Sequence, residues 1–586
     1  EDRYPDGVGS DVRIPDDFLE EDFVEHVPRV KHIDKSEPGA IAFLFGRNVA
    51  GESVCVRVEG FFPKLYFALG AGDSALAMQK ELSNEVRREL ASSELRFKRC
   101  DFAHDYGYEP DASSPSGRRV HPYVEVAYPS LRSWRRAVGI RREWDIKQTR
   151  IRLSQVKKQI AILEERVLLV KQRCMTGEER RGQVHTEMER ELQVAKEETY
   201  PSLRERLLSL LPDDGVAEEE ESGGREEEEA SWEAAASREP RMAHEYFVEP
   251  YTRFLHENKL KPNRWIRAPA HYPEWRVTSC THELCGTVRD DFSRLAEAHD
   301  LPATQVTLYY DIETLALDPD KDMVIQVSMV FEWSNQRHEK HLVALKRVAP
   351  LADTVVHCCN TEADVLRTFR RLMIEKDPDN VVAYNAVSFD ARYLNVRAQA
   401  GRAQEETVHE FFYLSRFLFR SSKLRELKLS SSGMGDNLLR FFEMPGRANF
   451  DWYVKLKRDL TSEPSYKLNH FAKKFCGDQK EDMDYKEIPV LQNGSDEDRA
   501  RLGSYCVQDS DILRKLNKAR EMLLEIMQFA EVFGIIPEWV YFRGQQVRFI
   551  AQLLDEARTK EAVPLLLNKP REGFQCIGKT YEGATV

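Results

Sequence analysis

Tyr309-Tyr310-Asp311-Ile312-Glu313-Thr314 lies between two apolar runs, Val306 to Leu308 before it and Met323 to Phe331 after it. The first run is rich in Val, Thr, Leu and Tyr and reads as a β-strand. On a strand, residues two apart point to the same face, so Asp311 and Glu313 project together. Two carboxylates about 4 Å apart repel by roughly 4 kcal/mol at an effective dielectric near 20. A chain keeps such a pair if it is solvated, shares a proton or holds a cation. One Asp-x-Glu in an acid-rich chain decides nothing alone. The decision rests on whether further carboxylates arrive in the right order.

The flanking pattern is α/β from about residue 296. Strands are expected at 306–310, 323–331 and 342–348, joined by short connections that imply an antiparallel meander. Thr361-x-x-Asp364 has the form of a capping box, opening a helix with Leu366, Phe369, Leu372 and Met373 on one face. Val381-Val382-Ala383-Tyr384 is a short buried strand, left by Asn385 to Asp390 and followed by a helix. This gives a mixed sheet covered by helices, with carboxylates at strand ends lining a crevice.

The second acid is Asp390, in Asn385-Ala386-Val387-Ser388-Phe389-Asp390. The third piece is Tyr505-Cys506-Val507-Gln508-Asp509, expected to open a helical stretch that stacks Tyr505 and Asp509 on one face. Asp390 could simply cap its helix, and Tyr-x-x-x-Asp occurs by chance. The set is far more specific than its parts. Asp311, Glu313, Asp390 and Asp509 converging on one crevice could hold two hard divalent cations, Mg²⁺ or Mn²⁺. Such a site cleaves a phosphodiester by in-line displacement, with Tyr505 aiming the attacking water. Without cations the acids would repel and partly protonate.

Charge does not exclude a nucleic-acid substrate. The chain has 586 residues and a net charge of −13. Asp213, Asp214, Glu218 to Glu221 and Glu226 to Glu229 are ten acids against Arg225, a local charge of −9, so the rest is close to neutral. The length implies several domains, and an apolar content of 41% suffices for cores. No run is long enough to span a bilayer. The start, Glu1-Asp2-Arg3, has no signal-peptide character, and the lack of Met suggests trimming. The cysteines are scattered. Cys280-x4-Cys285 with His282 between them is the nearest approach to a zinc pattern, against a reading as buried strand thiols. A reducing intracellular compartment is expected.

Upstream, Ala40 to Phe45, Ser53 to Val58 and Lys64 to Ala68 read as strands. A helix carrying Leu76, Met78, Leu82, Val86 and Leu90 follows, then a strand at Tyr123 to Ala127 and a helix at Leu131 to Val138. This is a small α+β domain. Leu153, Val156, Ile160, Leu163, Val167, Val170 and Cys174 then step by three and four, forming a coiled-coil seam. Its readings are a helical hairpin, a helix docking on a partner, or an exposed charged helix. A second helical stretch carries Met188, Leu192 and Ala195. The acidic tract Asp213 to Ser237 reads as disordered.

Asp311-Ile312-Glu313, Asn385-x3-Phe389-Asp390 and Tyr505-x3-Asp509 resemble the three exonuclease motifs of the family B DNA polymerases. Tyr466-Lys467-Leu468-Asn469 and Gly477-Asp478-Gln479-Lys480-Glu481-Asp482 are similar to the segment before the third motif in delta-type and large-DNA-virus members. Arg543-Gly544-Gln545-Gln546-Val547 and Tyr581 to Val586 resemble the approach to the polymerase palm, and Val58 to Pro63 the amino-terminal domain. The likeness is weak over 1–145 and good over 246–586. Residues 146–245 have no family counterpart. The polymerase motifs Asp-x-x-Ser-Leu-Tyr-Pro-Ser and Tyr-Gly-Asp-Thr-Asp-Ser are not found.

The resemblance implies an RNase H-like exonuclease domain over 296–525, beside a smaller α+β amino-terminal domain (1–145, returning at 246–295). It also implies a helical insertion at 146–245 and a connection toward palm, fingers and thumb at 526–586. It implies 3′-to-5′ proofreading of DNA with two Mg²⁺ or Mn²⁺ ions, on a single-stranded 3′ end or primer–template. Asn385 and Phe389 would contact the frayed strand, and Lys467 and Lys480 its phosphates, although either lysine could be a solvated surface residue. Leu427 to Phe442, turning at Ser432 to Asn437, would be a hairpin that separates primer from template, against a plain surface loop. A processivity factor is a further implied partner, and a nucleus or viral replication site the implied location. Two rivals stand beside this reading: a free-standing exonuclease using the same residues, and a catalytically silent scaffold recruiting partners through the seam.

Overall fold

The computed structural model describes residues 40–68, 75–87, 95–103, 120–174, 193–194, 196, 243–245, 248–266, 271–273, 276–288, 305–399, 408–431, 435–478 and 483–559. Lys480, the acidic tract, the stretch carrying Met188 and Leu192, and the terminal Tyr581 to Val586 lie outside them. The chain divides into two compact units, one over Lys64–Phe247 and one taking in the chain up to Pro63 and again Val248–Glu561.

In the second of these, β1 (Ala40–Arg47) and β2 (Ser53–Phe61) form an antiparallel pair, and β7 (His282–Thr287) adds parallel to β2. Cys280 and Cys285 are buried, and His282 Nε2 lies 2.8 Å from Glu52 Oε2. In the unit over 64–247, β3 (Lys64–Ala68), β4 (Arg96–Ala103), β5 (Val120–Ala127) and β6 (Ala243–His244) form an antiparallel sheet in the order β4-β5-β3-β6. Strand β4 was not expected. Helix α1 (Ala75–Glu85) buries Met78 and Leu82 in this unit's core. The helix expected at 131–138 and the seam from Leu153 to Cys174 are one continuous helix, α2 (Leu131–Cys174), which buries Trp134, Ala137 and Val138 in the same core and, further along, Thr149 and Leu153.

The larger core is built on a six-stranded mixed sheet, ordered β11-β10-β9-β8-β12-β15. Strands β8 (Val306–Thr314), β9 (Val324–Trp333) and β10 (His338–Leu345) form the expected antiparallel meander. Two strands were not expected. These are β11 (Thr354–Cys359), parallel to β10 at one edge, and β15 (Ala448–Asp451), parallel to β12 (Asn380–Ala383) at the other. β12 in turn runs parallel to β8.

Strand alternation sorts the side chains into two layers. Leu308, Tyr310, Ile312, Val327, Met329 and Phe331 pack with Val365, Leu366, Phe369, Leu372 and Met373 of a helix covering one face. Tyr309, Val330 and Val382 pack with Ile512, Leu513 and Leu516 of a helix covering the other. Helix α3 (Pro250–Glu257) precedes the sheet in the chain. The first covering helix is α4 (Glu362–Lys376), and Thr361 caps it as the sequence implies: its hydroxyl accepts from Asp364 N while Asp364 accepts from Thr361 N. α5 (Asp390–Gln399) follows β12.

The hairpin expected over 427–442 is present as β13 (Leu424–Ser431) and β14 (Gly435–Phe442). α6 (Trp452–Asp459) starts directly after β15, and the short α7 (Leu468–Phe471) and α8 (Ile488–Asn493) lead to α9 (Asp496–Arg520). This last helix is the second cover. Asp509 does not open it but sits mid-helix, because Ser495 with Asp498 forms a capping box there and Asp496, Glu497 and Asp498 place three acids in the first turn. Among the described residues no helix is long and apolar enough to cross a membrane.

Candidate active site

Strand β8 runs past the acids to Thr314, so Asp311 and Glu313 are on the strand itself, opposite Ser328 and Gln326 of β9. They share the face of Tyr309, whose hydroxyl accepts from Asn517 Nδ2 of α9 at 2.9 Å. The pair therefore faces α9. That helix lies close on the sheet because residue 503 is Gly: a Cβ there would sit 2.3 Å from Leu342 Cδ2. Ser328 Oγ donates to Cys506 O at 2.8 Å and lies 2.6 Å from Ser510 Oγ, while Gln326 Nε2 donates to Arg499 O at 3.0 Å. Both bonds lock α9 in rotation against β9.

One turn of α9 is thereby delivered over the acid pair. The ligand atoms of Asp311, Glu313 and Cys506 all lie within 4.8 Å of one another. Cys506 Sγ donates to Asp311 O at 3.8 Å. Burial, then the charges of Glu313, Asp311 and Asp509, push this thiol well above its ordinary range. It stays protonated, and the carboxylates are left as the hard donors. Asp509, three residues beyond Cys506 on the same buried face, is 6% exposed, and Tyr505 is half-buried on the preceding turn.

Asp390, the first residue of α5, is not within that 4.8 Å group. It is 5% exposed and its carboxyl is pushed up to about 7, by burial first and by the charge of Asp451. Burial, then the charges of Asp390, Asp451 and Asp311, likewise holds the Tyr310 hydroxyl well above its ordinary range. Asp390 and Asp311 thus act on one common neighbour. The carboxylates of Asp311 and Glu313 converge within 4.8 Å of one another, hard oxygen donors of the kind a divalent cation takes, so the residues fit such an ion.

The segment between β12 and α5 is fixed by its own amides. Asn385 is in the left-handed region at φ 62°, and its carbonyl accepts from Ser388 N and Phe389 N at 3.0 and 3.2 Å. Phe389 is half-buried, its ring 5.2 Å from that of Tyr393. Tyr384 Oη donates to Tyr466 O at 2.6 Å, and Val387 O accepts from Arg440 N of the hairpin at 2.8 Å. Lys467 is exposed at the start of α7.

Three participants were not found from the sequence: Cys506, Tyr310 and Asp451. Cys506 and Tyr310 stood inside the quoted motifs, but nothing in their spacing marks them. Asp451 carried a readable signal, an Asp directly before the apolar-periodic Trp452-Tyr453-Val454-Lys455-Leu456, which is an N-cap.

Residues 242–471 match the family described as DNA polymerase family B, exonuclease domain. This stretch belongs to that family. The exonuclease-domain match includes Asp311, Glu313 and Asp390 and stops before Tyr505 and Asp509. The DNA polymerase delta catalytic subunit of Dictyostelium discoideum is 32% identical over 346 residues, 57% of this chain and 30% of that protein. The DNA polymerase of Paramecium bursaria Chlorella virus NY2A is 27% identical over 358 residues, 58% of this chain and 38% of that protein. The DNA polymerase catalytic subunit of Alcelaphine herpesvirus 1 is 30% identical over 354 residues, 58% of this chain and 33% of that protein. The chain thus spans about a third of the length of these relatives, with the exonuclease domain within that span.

Proposed function

We propose that this exonuclease domain removes nucleotides from the 3′ end of DNA, as the proofreading part of a replicative family B polymerase. The observation that carries the reading is the Asp311–Glu313 pair facing the turn of α9 that bears Asp509, with Asp390 buried at the start of α5. Asp311, Glu313, Asp390 and Asp509 would hold two divalent ions, Mg²⁺ or Mn²⁺. Bound ions supply a water of lowered pKa and offset charge on the phosphate oxygens. The chain's residues do the remainder. Tyr505 orients the attacking water through its hydroxyl, and Asn385 and Phe389 hold the terminal nucleotides. Lys467 and Lys480 offset phosphate charge, and the β13–β14 hairpin keeps primer from template. Burial of the acids keeps bulk water from screening their charges. A polymerase body and a processivity factor are the partners this role requires, at a nuclear or viral site of replication.

The test is degradation of a 3′-labelled single strand by Asp311→Ala/Glu313→Ala. The substitution relieves a like-charge pair, so circular dichroism should show a folded chain. The rate should fall by roughly three orders of magnitude or more, while binding of single-stranded DNA persists. Tyr505→Phe should cost less, since only the aim of the water is lost. A folded double variant that digests at the wild-type rate would place the chemistry elsewhere.

A further inference from the structure

Asp451 is 1% exposed, the last residue of β15 and the N-cap of α6. Its Oδ1 accepts from Tyr453 N at 2.9 Å and Val454 N at 3.4 Å, as a helix cap does. The same Oδ1 also accepts from Asn385 N at 2.9 Å, and Oδ2 accepts from Val387 N at 3.1 Å. A cap needs only the first two bonds. The other two reach across to the segment that carries Asn385, Phe389 and Asp390, from a strand paired beside β12. Asn385 sits there in the left-handed region. Asn tolerates this backbone better than other non-glycine residues, and hydrogen bonds from its surroundings fix it there. The two amide bonds to Asp451 add to the bonds that Asn385 O accepts from Ser388 N and Phe389 N in holding this turn, and Val387 is three residues from Asp390.

We propose that Asp451 is a positioning residue of the exonuclease site: its carboxylate holds the Asn385–Asp390 segment in register so that Asp390 and Phe389 are presented to the ions and the strand. This rests on the functional reading above. The role differs from that of the four acids, because Asp451 spends its lone pairs on backbone amides and acts through the segment.

The geometry supplies a selective test. In Asp451→Asn an amide oxygen at the Oδ1 position keeps the helix cap and the Asn385 bond, while the NH₂ group is set against the Val387 N–H. Asp451→Ser keeps a cap for α6 and gives up the reach to both segment amides. Three readouts are taken well below the melting temperature: Mn²⁺ affinity by calorimetry without DNA, kcat and KM on a 3′-labelled single strand, and thermal melting. Loss of such an orienting partner is expected to weaken Mn²⁺ binding and lower kcat/KM by about 10–100-fold each, with Asp451→Ser still folded. A purely structural cap would lower the melting temperature and leave both quantities alone. Mn²⁺ affinity and kcat/KM within about threefold of wild type in either folded variant overturn the proposal. Asp311→Ala/Glu313→Ala, run in parallel, keeps the two questions apart. If that pair still digests DNA, the reading of the site fails. If it is inactive and the Asp451 variants are normal, only the positioning role fails.

Discussion

At Glu538, burial outweighs the hydrogen bonds that Asn449 donates from its backbone N and Nδ2, at 2.6 and 3.2 Å, and the carboxyl is pushed up to about 7. Asp451 is pushed up to about 6, again by burial first, against its four backbone bonds. Both groups hold protons in the folded chain that the unfolded chain loses near its ordinary carboxylate values of about 4. Between about pH 4 and pH 7 the folded state therefore binds more protons, and stability falls as pH rises through that window. Carboxylates shifted the other way work on the acid side. Glu339, held down to about 2 chiefly by its hydrogen bond from Lys376, contributes stability above its unfolded value that is lost as pH falls toward 2. Without divalent ions the melting temperature should peak near pH 5 and decline toward pH 8. Glu538→Gln keeps an acceptor for both Asn449 bonds and removes one titration, so it should melt higher than wild type at pH 8 and equal to it at pH 4. The check is a melting series across pH in chelator; parallel curves for the two proteins at all pH values would show that Glu538 does not titrate in this window.

Among the elements, α9 sets how Cys506 and the turn bearing Asp509 face the Asp311–Glu313 pair. Its position depends on one missing side chain, since a Cβ at Gly503 would fall 2.3 Å from Leu342 Cδ2 and 3.2 Å from Gln326 Oε1. Leu342 is fully buried, so its side chain has little room to yield. Gly503→Ala should cost about 1–3 kcal/mol through overpacking, although alanine favours helix. It should also lower the exonuclease rate more than a remote substitution of equal cost, because Cys506 and Asp509 ride on the displaced turn. Chemical denaturation and the nuclease assay together check this; a rate loss no greater than that of an equally destabilising surface change would uncouple the helix position from the site. The sequence revealed the elements of this unit unevenly. The Tyr505-x3-Asp509 spacing and the capping box at Thr361 were legible because each is a local pattern with a fixed stereochemical cause. The start of α9 was missed, although Ser495-x-x-Asp498 has the same form as the Thr361 box. Strands β11 and β15 were missed for a different reason. β15 has four residues, too few to show alternation, and β11 is an edge strand whose burial is irregular. Parallel partners distant in the chain leave no local trace.

At the scale of the larger unit, the question is what fixes the β1–β2–β7 sheet against the six-stranded sheet. A large part of the contact is a cluster of three arginines on two aspartates, beside the backbone bonds of Ser279 N to Arg416 O and Leu418 N to Val277 O. Arg47 Nε from β1 lies 2.6 Å from Asp379 Oδ2, Arg416 bonds Asp377 Oδ1 at 2.9 Å and Asp379 Oδ1 at 2.6 Å, and Arg447 Nη1 bonds Asp377 Oδ1 at 2.7 Å. Asp379 Oδ2 also accepts from Val306 N at 2.8 Å, at the start of β8. Gly446, at φ 91°, permits the approach, since a Cβ there would lie 2.9 Å from Arg416 Cβ. The aromatic edge contacts of Phe43 and Phe45 on Phe417, at 4.8 and 5.6 Å, close the same junction. Arg416 is 1% exposed. A buried cation stripped of a partner carries its desolvation cost uncompensated, and breaking such a pair typically costs about 3–5 kcal/mol. Asp379→Ala should therefore lose about 3 kcal/mol or more, with Arg47 and Arg416 both affected. An exposed pair offers the contrast. Lys321 and Asp318, with side chains 80% and 42% exposed, should give no measurable change on Lys321→Ala, because solvent screens their attraction. Denaturant titration of both variants separates the two cases. If Asp379→Ala unfolds at the same midpoint as Lys321→Ala, the cluster contributes no more than a surface pair, and the Phe43–Phe45–Phe417 packing and the backbone bonds of Ser279 N to Arg416 O and Leu418 N to Val277 O hold the junction.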